Sequence, residues 1–84
     1  MTINLNYTDT HGREFTYPIT PTSEDYAAFL AKTYGGDAAT WERAVDVFNL
    51  DKQIAEDYDF NNMLKEFLSE KYAEEAIASF EAWN

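Results

Sequence analysis

The residues of this chain that could do chemistry are mostly carboxylates, and they are densest in the stretch AEDYDF. Asp57, Asp59 and Asn61 have the spacing of the first, third and fifth ligands of a calcium-binding loop. Such a loop also needs glycine at its sixth position and a bidentate glutamate at its twelfth, where this chain has Asn62 and Leu68. We therefore predict that this stretch is not a metal site.

The residues needed for nucleophilic or acid–base catalysis are largely missing from the sequence. His11 is the one histidine and lies in a predicted turn, and the chain has no cysteine. A serine nucleophile needs a base to activate it, and no second histidine is present to act as that base. The three glycines form no phosphate-binding loop. We expect a protein that is not an enzyme and that needs no cofactor.

The charge of the chain limits the class of partner. Sixteen acidic residues oppose six basic ones, which gives a formal net charge of −10, and residues 51–84 hold nine of the acids but only three of the bases. Nucleic acids and anionic membranes both require a basic surface, so direct contact with either is not expected. A basic protein surface is the expected partner.

Five of these acids are predicted to share one side of the C-terminal helical segment. At 100° per residue they fall between about 240° and 320° on a helical wheel. We call this set the acidic flank: Asp59, Glu66, Glu70, Glu74 and Glu81. Glu66, Glu70 and Glu74 are successive i,i+4 neighbours, here called the glutamate row, and like charges at that spacing cost a few tenths of a kcal/mol per pair. Lys65 and Lys71 project elsewhere, so partner recognition is one explanation for the row; an acidic face that only maintains solubility is the other.

The N-terminal residues alternate between apolar and polar side chains, which predicts a β-hairpin over residues 2–19. Between the two alternating runs, residues 9–13 supply aspartate and glycine for a turn. Pro18 cannot donate a hydrogen bond to a neighbouring strand, so the second strand is expected to lie at a sheet edge or to end there. A lone hairpin is marginally stable and needs helices on its apolar face.

Helical periodicity and capping residues then predict helices over about 22–34, 38–50, 59–69 and 70–83. Thr20 or Thr22 is expected to cap the first helix, Gly35–Gly36 to end it, and Asp37 to cap the second. Beyond residue 59 the apolar stripe changes sides of the wheel near residues 69–71. This pattern predicts two helices with Ser69 capping the second, or else one long helix packed on opposite sides along its length. Asp57 or Asp59 is expected to cap the start of this segment.

These elements predict an α+β fold in a single small domain covering residues 1–84, with the hairpin packed against three or four helices. Fourteen aromatic residues are enough to build a core for such a chain. The expected core joins two groups, the first from the hairpin and the second from the helices: Ile3, Leu5, Phe15 and Tyr17, packed against Phe29, Leu30, Trp41, Val45 and Phe48. The N-terminal residues lack the features of a signal peptide, so a cytoplasmic location is expected.

Small size, strong acidity, abundant aromatic residues and the glutamate row together resemble the phage and mobile-element inhibitors that block restriction or CRISPR nucleases, often as nucleic-acid mimics. The resemblance is to a class of proteins, without a shared motif. It implies a protein in the host cytoplasm whose acidic flank occupies the nucleic-acid groove of a nuclease or regulator. The alternative is an adaptor or accessory domain that binds its partner through exposed Tyr58 and Trp83, with the acids serving only solubility.

Overall fold

A computed structural model describes residues 2–45 and 47–83 of the chain. Within that part, an antiparallel hairpin is followed by helices, which confirms the predicted α+β fold in a small single domain. The strands and helices of the described residues are β1 (Ile3–Thr8), β2 (Glu14–Ile19), α1 (Ser23–Tyr34), α2 (Ala38–Ala44), α3 (Val47–Glu56) and α4 (Tyr58–Trp83).

The hairpin has the predicted turn, which is closed by a buried aspartate. β1 and β2 pair in register from Ile3 opposite Ile19 to Thr8 opposite Glu14. The carboxylate of Asp9 accepts hydrogen bonds from the backbone N–H groups of His11 and Arg13, at 2.9 and 2.8 Å. It also pairs with the Arg13 guanidinium at 2.7 Å. The imidazole of His11 is exposed in this turn.

Local capping signals set the ends of the first two helices. Thr22 forms a capping box with Asp25 at the start of α1, and Gly35 ends that helix with a φ of 87°. The side chain of Asp37 accepts a hydrogen bond from Ala39 N–H at 3.2 Å and caps α2. The predictions for Thr22, Gly35 and Asp37 are therefore confirmed.

The predicted helix over residues 38–50 is wrong. α2 ends at Ala44, and Val45 adopts an extended conformation with φ −66° and ψ 128°. A β-branched residue is well suited to extended backbone, so the chain leaves the helix here without a glycine or proline. α3 then continues to Glu56, beyond the predicted end. The predicted core residue Phe48 falls outside the side chains that the structure describes.

The C-terminal segment is one helix, so the predicted pair of helices over 59–69 and 70–83 is wrong and the one-helix alternative is correct. α4 runs unbroken from Tyr58 to Trp83. Ser69 therefore begins no new helix, and its carbonyl oxygen instead accepts a hydrogen bond from the Tyr7 hydroxyl at 2.8 Å. Asp57 caps α4 by accepting a 3.1 Å hydrogen bond from Phe60 N–H.

One i,i+4 row of side chains on α4 explains why its apolar stripe changes sides. Buried or half-buried residues recur every fourth position, in the order Phe60, Leu64, Leu68, Tyr72, Ala76 and Phe80. Four residues turn a helix through about 400°, so each member lies about 40° further around than the last. The buried ridge therefore winds around α4, and different elements cover it along its length.

The core joins the hairpin to α1, α3 and α4. Ile3, Leu5, Phe29 and Leu30 are buried as predicted, whereas Trp41 and Val45 are only partly buried. The two hairpin aromatics pack on α4, contrary to the prediction that they pack on the earlier helices. Phe15 stacks on Phe80 with centroids 4.2 Å apart, and the Tyr17 hydroxyl donates to Glu75 at 2.8 Å.

Candidate functional site

The unbroken course of α4 holds the glutamate row together. Because the helix does not end near Ser69, residues 66, 70 and 74 project from one rigid rod, one turn apart. The helical rise of 1.5 Å per residue separates successive members by about 6 Å along the axis. All three glutamate side chains are exposed, and so is Asp59 nearer the start of the helix.

One lysine from another helix approaches the row, which the sequence analysis missed. The Lys32 ammonium on α1 lies 3.6 Å from a carboxylate oxygen of Glu70, with both side chains about two-thirds exposed. An exposed pair of this kind contributes about 0–1 kcal/mol. Among the described residues, Asp59, Glu66 and Glu74 have no ion pair or hydrogen bond through their carboxylates, so most of the negative charge faces solvent.

The fifth member of the acidic flank, Glu81, has a structural contact. Its carboxylate accepts hydrogen bonds from both the backbone N–H and the hydroxyl of Thr10. These two hydrogen bonds lower the pKa of Glu81 below its ordinary value of 4.5. Beside it, the Arg13 guanidinium lies 5.3 Å from the centre of the Phe80 ring. Glu81 therefore attaches the hairpin turn to the end of α4 and is less available to a partner than the glutamate row.

The two aromatic residues predicted for partner binding are exposed but far apart. Tyr58 and Trp83 are 78% and 88% exposed. They are the first and last residues of α4, which places their backbones about 38 Å apart along the helix axis. They cannot form one contact patch. Tyr58 instead borders an open depression of about 640 Å³ at the junction of α3 and α4, together with Lys52, Glu56 and Asp59.

An open groove of about 380 Å³ runs between α1 and α4 beside the glutamate row. Phe29, Met63 and Phe67 supply its apolar surface, and Met63 is 45% exposed. Glu66 and Glu70 supply carboxylates along the same groove. The arrangement combines exposed apolar area with negative charge, which are the two properties needed to bind a basic, amphipathic surface.

A second cluster of polar groups is centred on the buried Asp25 and connects α1 to the middle of α4. The Asp25 carboxylate accepts hydrogen bonds from Thr22 N–H, from the Tyr72 hydroxyl and from the Lys71 ammonium. Burial alone would raise the pKa of Asp25, but these donors outweigh it and lower the pKa below 3.8. Burial and the hydrogen bond to Asp25 raise the pKa of Tyr72 to about 12. Every group of this cluster has its partner within the fold, so we assign it to stability.

Two further features of the described residues bear on metal binding and on membranes. Within residues 2–45 and 47–83, no three histidine, aspartate or glutamate side chains are grouped closely enough to hold a metal ion. Asp57, the first residue of the calcium-like spacing, is the cap of α4, and Asn61 lies within that helix. None of the helices that these described residues form is long and apolar enough to cross a bilayer.

Comparison with known proteins supplies no relative for this chain: no family model, no curated protein and no solved structure matches it.

Proposed function

We propose that this protein is a stoichiometric inhibitor that binds a basic protein surface through the glutamate row and Asp59. The observation that supports the proposal is the exposed row of like charges on one continuous helix, with no lysine of that helix to neutralise it. Such a row is unfavourable for the isolated helix by a few tenths of a kcal/mol per neighbouring pair. Binding to a surface rich in arginine and lysine would convert that repulsion into attraction.

The chemistry favours the nucleic-acid groove of a nuclease or regulator as the target. Carboxylates about 6 Å apart along a rigid axis resemble the spacing of successive phosphates on one nucleic-acid strand. Arginines that normally hold phosphates bind carboxylates with the same two-pronged geometry. The net charge of −10 would accelerate encounter with a basic partner and make the complex sensitive to salt.

The experiment is affinity capture from bacterial lysate with the wild-type chain and the triple variant Glu66→Gln, Glu70→Gln, Glu74→Gln. A matched control replaces three exposed acids outside the flank, listed here: Glu14→Gln, Glu24→Gln and Glu42→Gln. Both variants lose three negative charges, so a generic charge effect would weaken them equally. We expect the wild type and the control to capture a nucleic-acid-binding protein that salt or added duplex DNA releases. The variant with Glu66, Glu70 and Glu74 replaced should not capture it. Equal capture by both variants would contradict the proposal.

The depression beside Tyr58 favours a second candidate, an adaptor that binds its partner through the α3–α4 junction. Tyrosine is a favoured anchor residue at protein interfaces, and this one is 78% exposed next to a concave surface. The two candidates predict opposite results. Tyr58→Ala would abolish partner capture by an adaptor and leave capture by a mimic nearly unchanged. The Glu66, Glu70 and Glu74 triple variant would abolish capture by a mimic and leave capture by an adaptor nearly unchanged.

A further inference from the structure

The groove between α1 and α4 already holds a cation. The Lys32 ammonium lies 5.6 Å from the centre of the Phe67 ring and 3.6 Å from the Glu70 carboxylate. It therefore receives attraction from the face of an aromatic ring and from a carboxylate at once. Glu66 borders the same groove, so a second carboxylate faces it.

The contact with Lys32 is readily displaced. The lysine side chain is 66% exposed and the Glu70 side chain 69% exposed, so water competes for both charges. Lysine also bears a compact, strongly hydrated charge that makes one contact at a time with a carboxylate. The groove thus binds its internal cation weakly and leaves Glu66 without a partner among the described residues.

We propose that this groove receives an arginine side chain of the protein partner, which displaces Lys32. The guanidinium would stack on Phe67 and donate hydrogen bonds to Glu66 and Glu70, while Met63 and Thr33 contact its aliphatic stem. Arginine suits the groove better than lysine because its planar, weakly hydrated group both stacks and donates in a fork. The inference rests on the proposed function and adds the residue type that the partner supplies and the place where it binds.

Charge complementarity identifies the occupant as part of a basic protein surface. The groove lies alongside the glutamate row, so a segment that inserts one arginine here brings its neighbouring basic residues over Glu74. An uncharged apolar segment would instead cover Glu66 and Glu70 without pairing them, at a desolvation cost. The apolar surface of the groove therefore serves the stem and ring contacts of an arginine.

The test compares two probes, fluorescently labelled nona-arginine and nona-lysine peptides, titrated by anisotropy at low salt. The peptides carry equal charge, so charge alone attracts them equally, and a preference for arginine reports the stacking and forked hydrogen bonding that the guanidinium adds. We expect nona-arginine to bind about 2- to 5-fold tighter, a ratio on the order of one exposed cation–π contact, because the guanidinium both stacks and donates in a fork where the ammonium makes a single contact. Phe67→Leu keeps every charge and both groove carboxylates but removes the ring, so it should reduce the preference. The melting temperature of the variant confirms that it folds.

A pair of lysine variants tests the displacement. Lys32→Gln and Lys65→Gln each remove one positive charge, but Lys65 lies on α4 outside the groove lining. We expect Lys32→Gln to raise the affinity for nona-arginine about 2-fold more than Lys65→Gln does, because only the first removes the internal competitor. Equal gains from the two variants, or equal binding of the two peptides, would overturn the proposed arginine site.

The same titration separates this inference from the proposed function. One outcome is that the Glu66, Glu70 and Glu74 triple variant binds both peptides more weakly than the wild type, while the wild type binds nona-arginine no more tightly than nona-lysine. In that case the acidic surface binds cations and the arginine site alone fails. If that variant binds both peptides as the wild type does, the proposed function fails and the arginine site fails with it.

Discussion

Replacing Asp25 by asparagine tests whether its buried cluster holds α1 against α4. The Asp25 side chain is only 3% exposed, and its carboxylate accepts from three donors on two helices. Asparagine keeps nearly the same shape but loses the charge that pairs with Lys71. It also turns one acceptor oxygen into an NH₂ donor that faces other donors.

The contacts set the size of the effect. Loss of the capping interaction with Thr22 costs about 1 kcal/mol. A hydrogen bond to a charged group contributes about 1.5–3 kcal/mol, and two such bonds, from Tyr72 and Lys71, are weakened. Lys71 is 37% exposed and regains water when its partner changes, so its share is discounted. The expected loss is about 3 kcal/mol, a large part of the roughly 4–12 kcal/mol typical for a chain of this length.

The same substitution predicts a specific pH dependence. The pKa of Asp25 is lower in the folded protein than its ordinary value of 3.8. A carboxyl group with a depressed pKa stabilises the fold fully above its unfolded pKa, and that contribution is lost as the pH falls through the folded pKa. The difference between wild type and Asp25→Asn should therefore be constant near neutral pH and shrink below about pH 4.

Urea denaturation followed by circular dichroism, at pH 7 and pH 3, measures both effects. Asp37→Asn is the matched control, because Asp37 is an exposed helix cap and asparagine caps about as well as aspartate. The control should change the free energy of unfolding by less than about 0.5 kcal/mol. A loss below about 1 kcal/mol for Asp25→Asn at pH 7 would refute the estimate, because a single ordinary hydrogen bond already accounts for that much. A difference between wild type and Asp25→Asn that is as large at pH 3 as at pH 7 would refute the predicted pH dependence.

Two further predictions concern the core and the hairpin contact. Leu68→Ala should lower the free energy of unfolding by about 2–5 kcal/mol in urea denaturation, because Leu68 is fully buried at the middle of α4. Met63→Ala is the control: this position of the same helix is 45% exposed, so the loss should be much smaller. An NMR titration should place the pKa of Glu81 below 4.5, and Thr10→Val should raise it by removing the hydroxyl donor. An unchanged Glu81 pKa in that variant would show that the Thr10 hydroxyl does not donate to Glu81 in solution.

The features that the sequence predicted correctly depend on short, contiguous signals. The alternation of β1 and β2 and the turn between them lie within nineteen residues. The caps Thr22 and Asp37 each bond a backbone N–H two or three residues ahead. Such interactions form wherever the chain goes afterwards, so their residue types are informative without any knowledge of tertiary packing.

The errors arose where packing of distant elements decides the outcome. The end of α2 at Ala44 carries no glycine or proline, and apolar residues at helical spacing continue after it, so periodicity alone predicted one uninterrupted helix. Within α4, the apolar positions before and after Ser69 looked like two stripes because the i,i+4 ridge that joins them lies about 40° further around the helix at each step. Different elements cover this ridge along its length, such as α1 at Tyr72 and the hairpin at Phe80, and no local signal predicts that packing.

The candidate site shows the same contrast between local signals and the packing of distant elements. The glutamate row was predictable because a helical wheel needs only spacing. The approach of Lys32 to Glu70 and Phe67 depends on how α1 packs against α4, and the capture of Glu81 by Thr10 depends on where the hairpin turn docks. Both contacts join residues far apart in the chain. They change the acidic flank from five equivalent charges into a set in which Glu70 is paired and Glu81 is anchored to the hairpin turn.

The winding of α4 also explains why the glutamate row stays exposed along its length. Each glutamate of the row follows a residue of the buried ridge by two positions, as Glu66 follows Leu64 and Glu70 follows Leu68. Two residues correspond to about 200° around a helix, so the row lies opposite the ridge at every turn as both wind together. Solvent exposure accounts for charged residues at these positions. It does not account for their common sign, because alternating glutamate and lysine would also be exposed and would stabilise the helix. The basic partner proposed above would account for that common sign, and neutralising the row without disturbing the ridge tests that explanation directly.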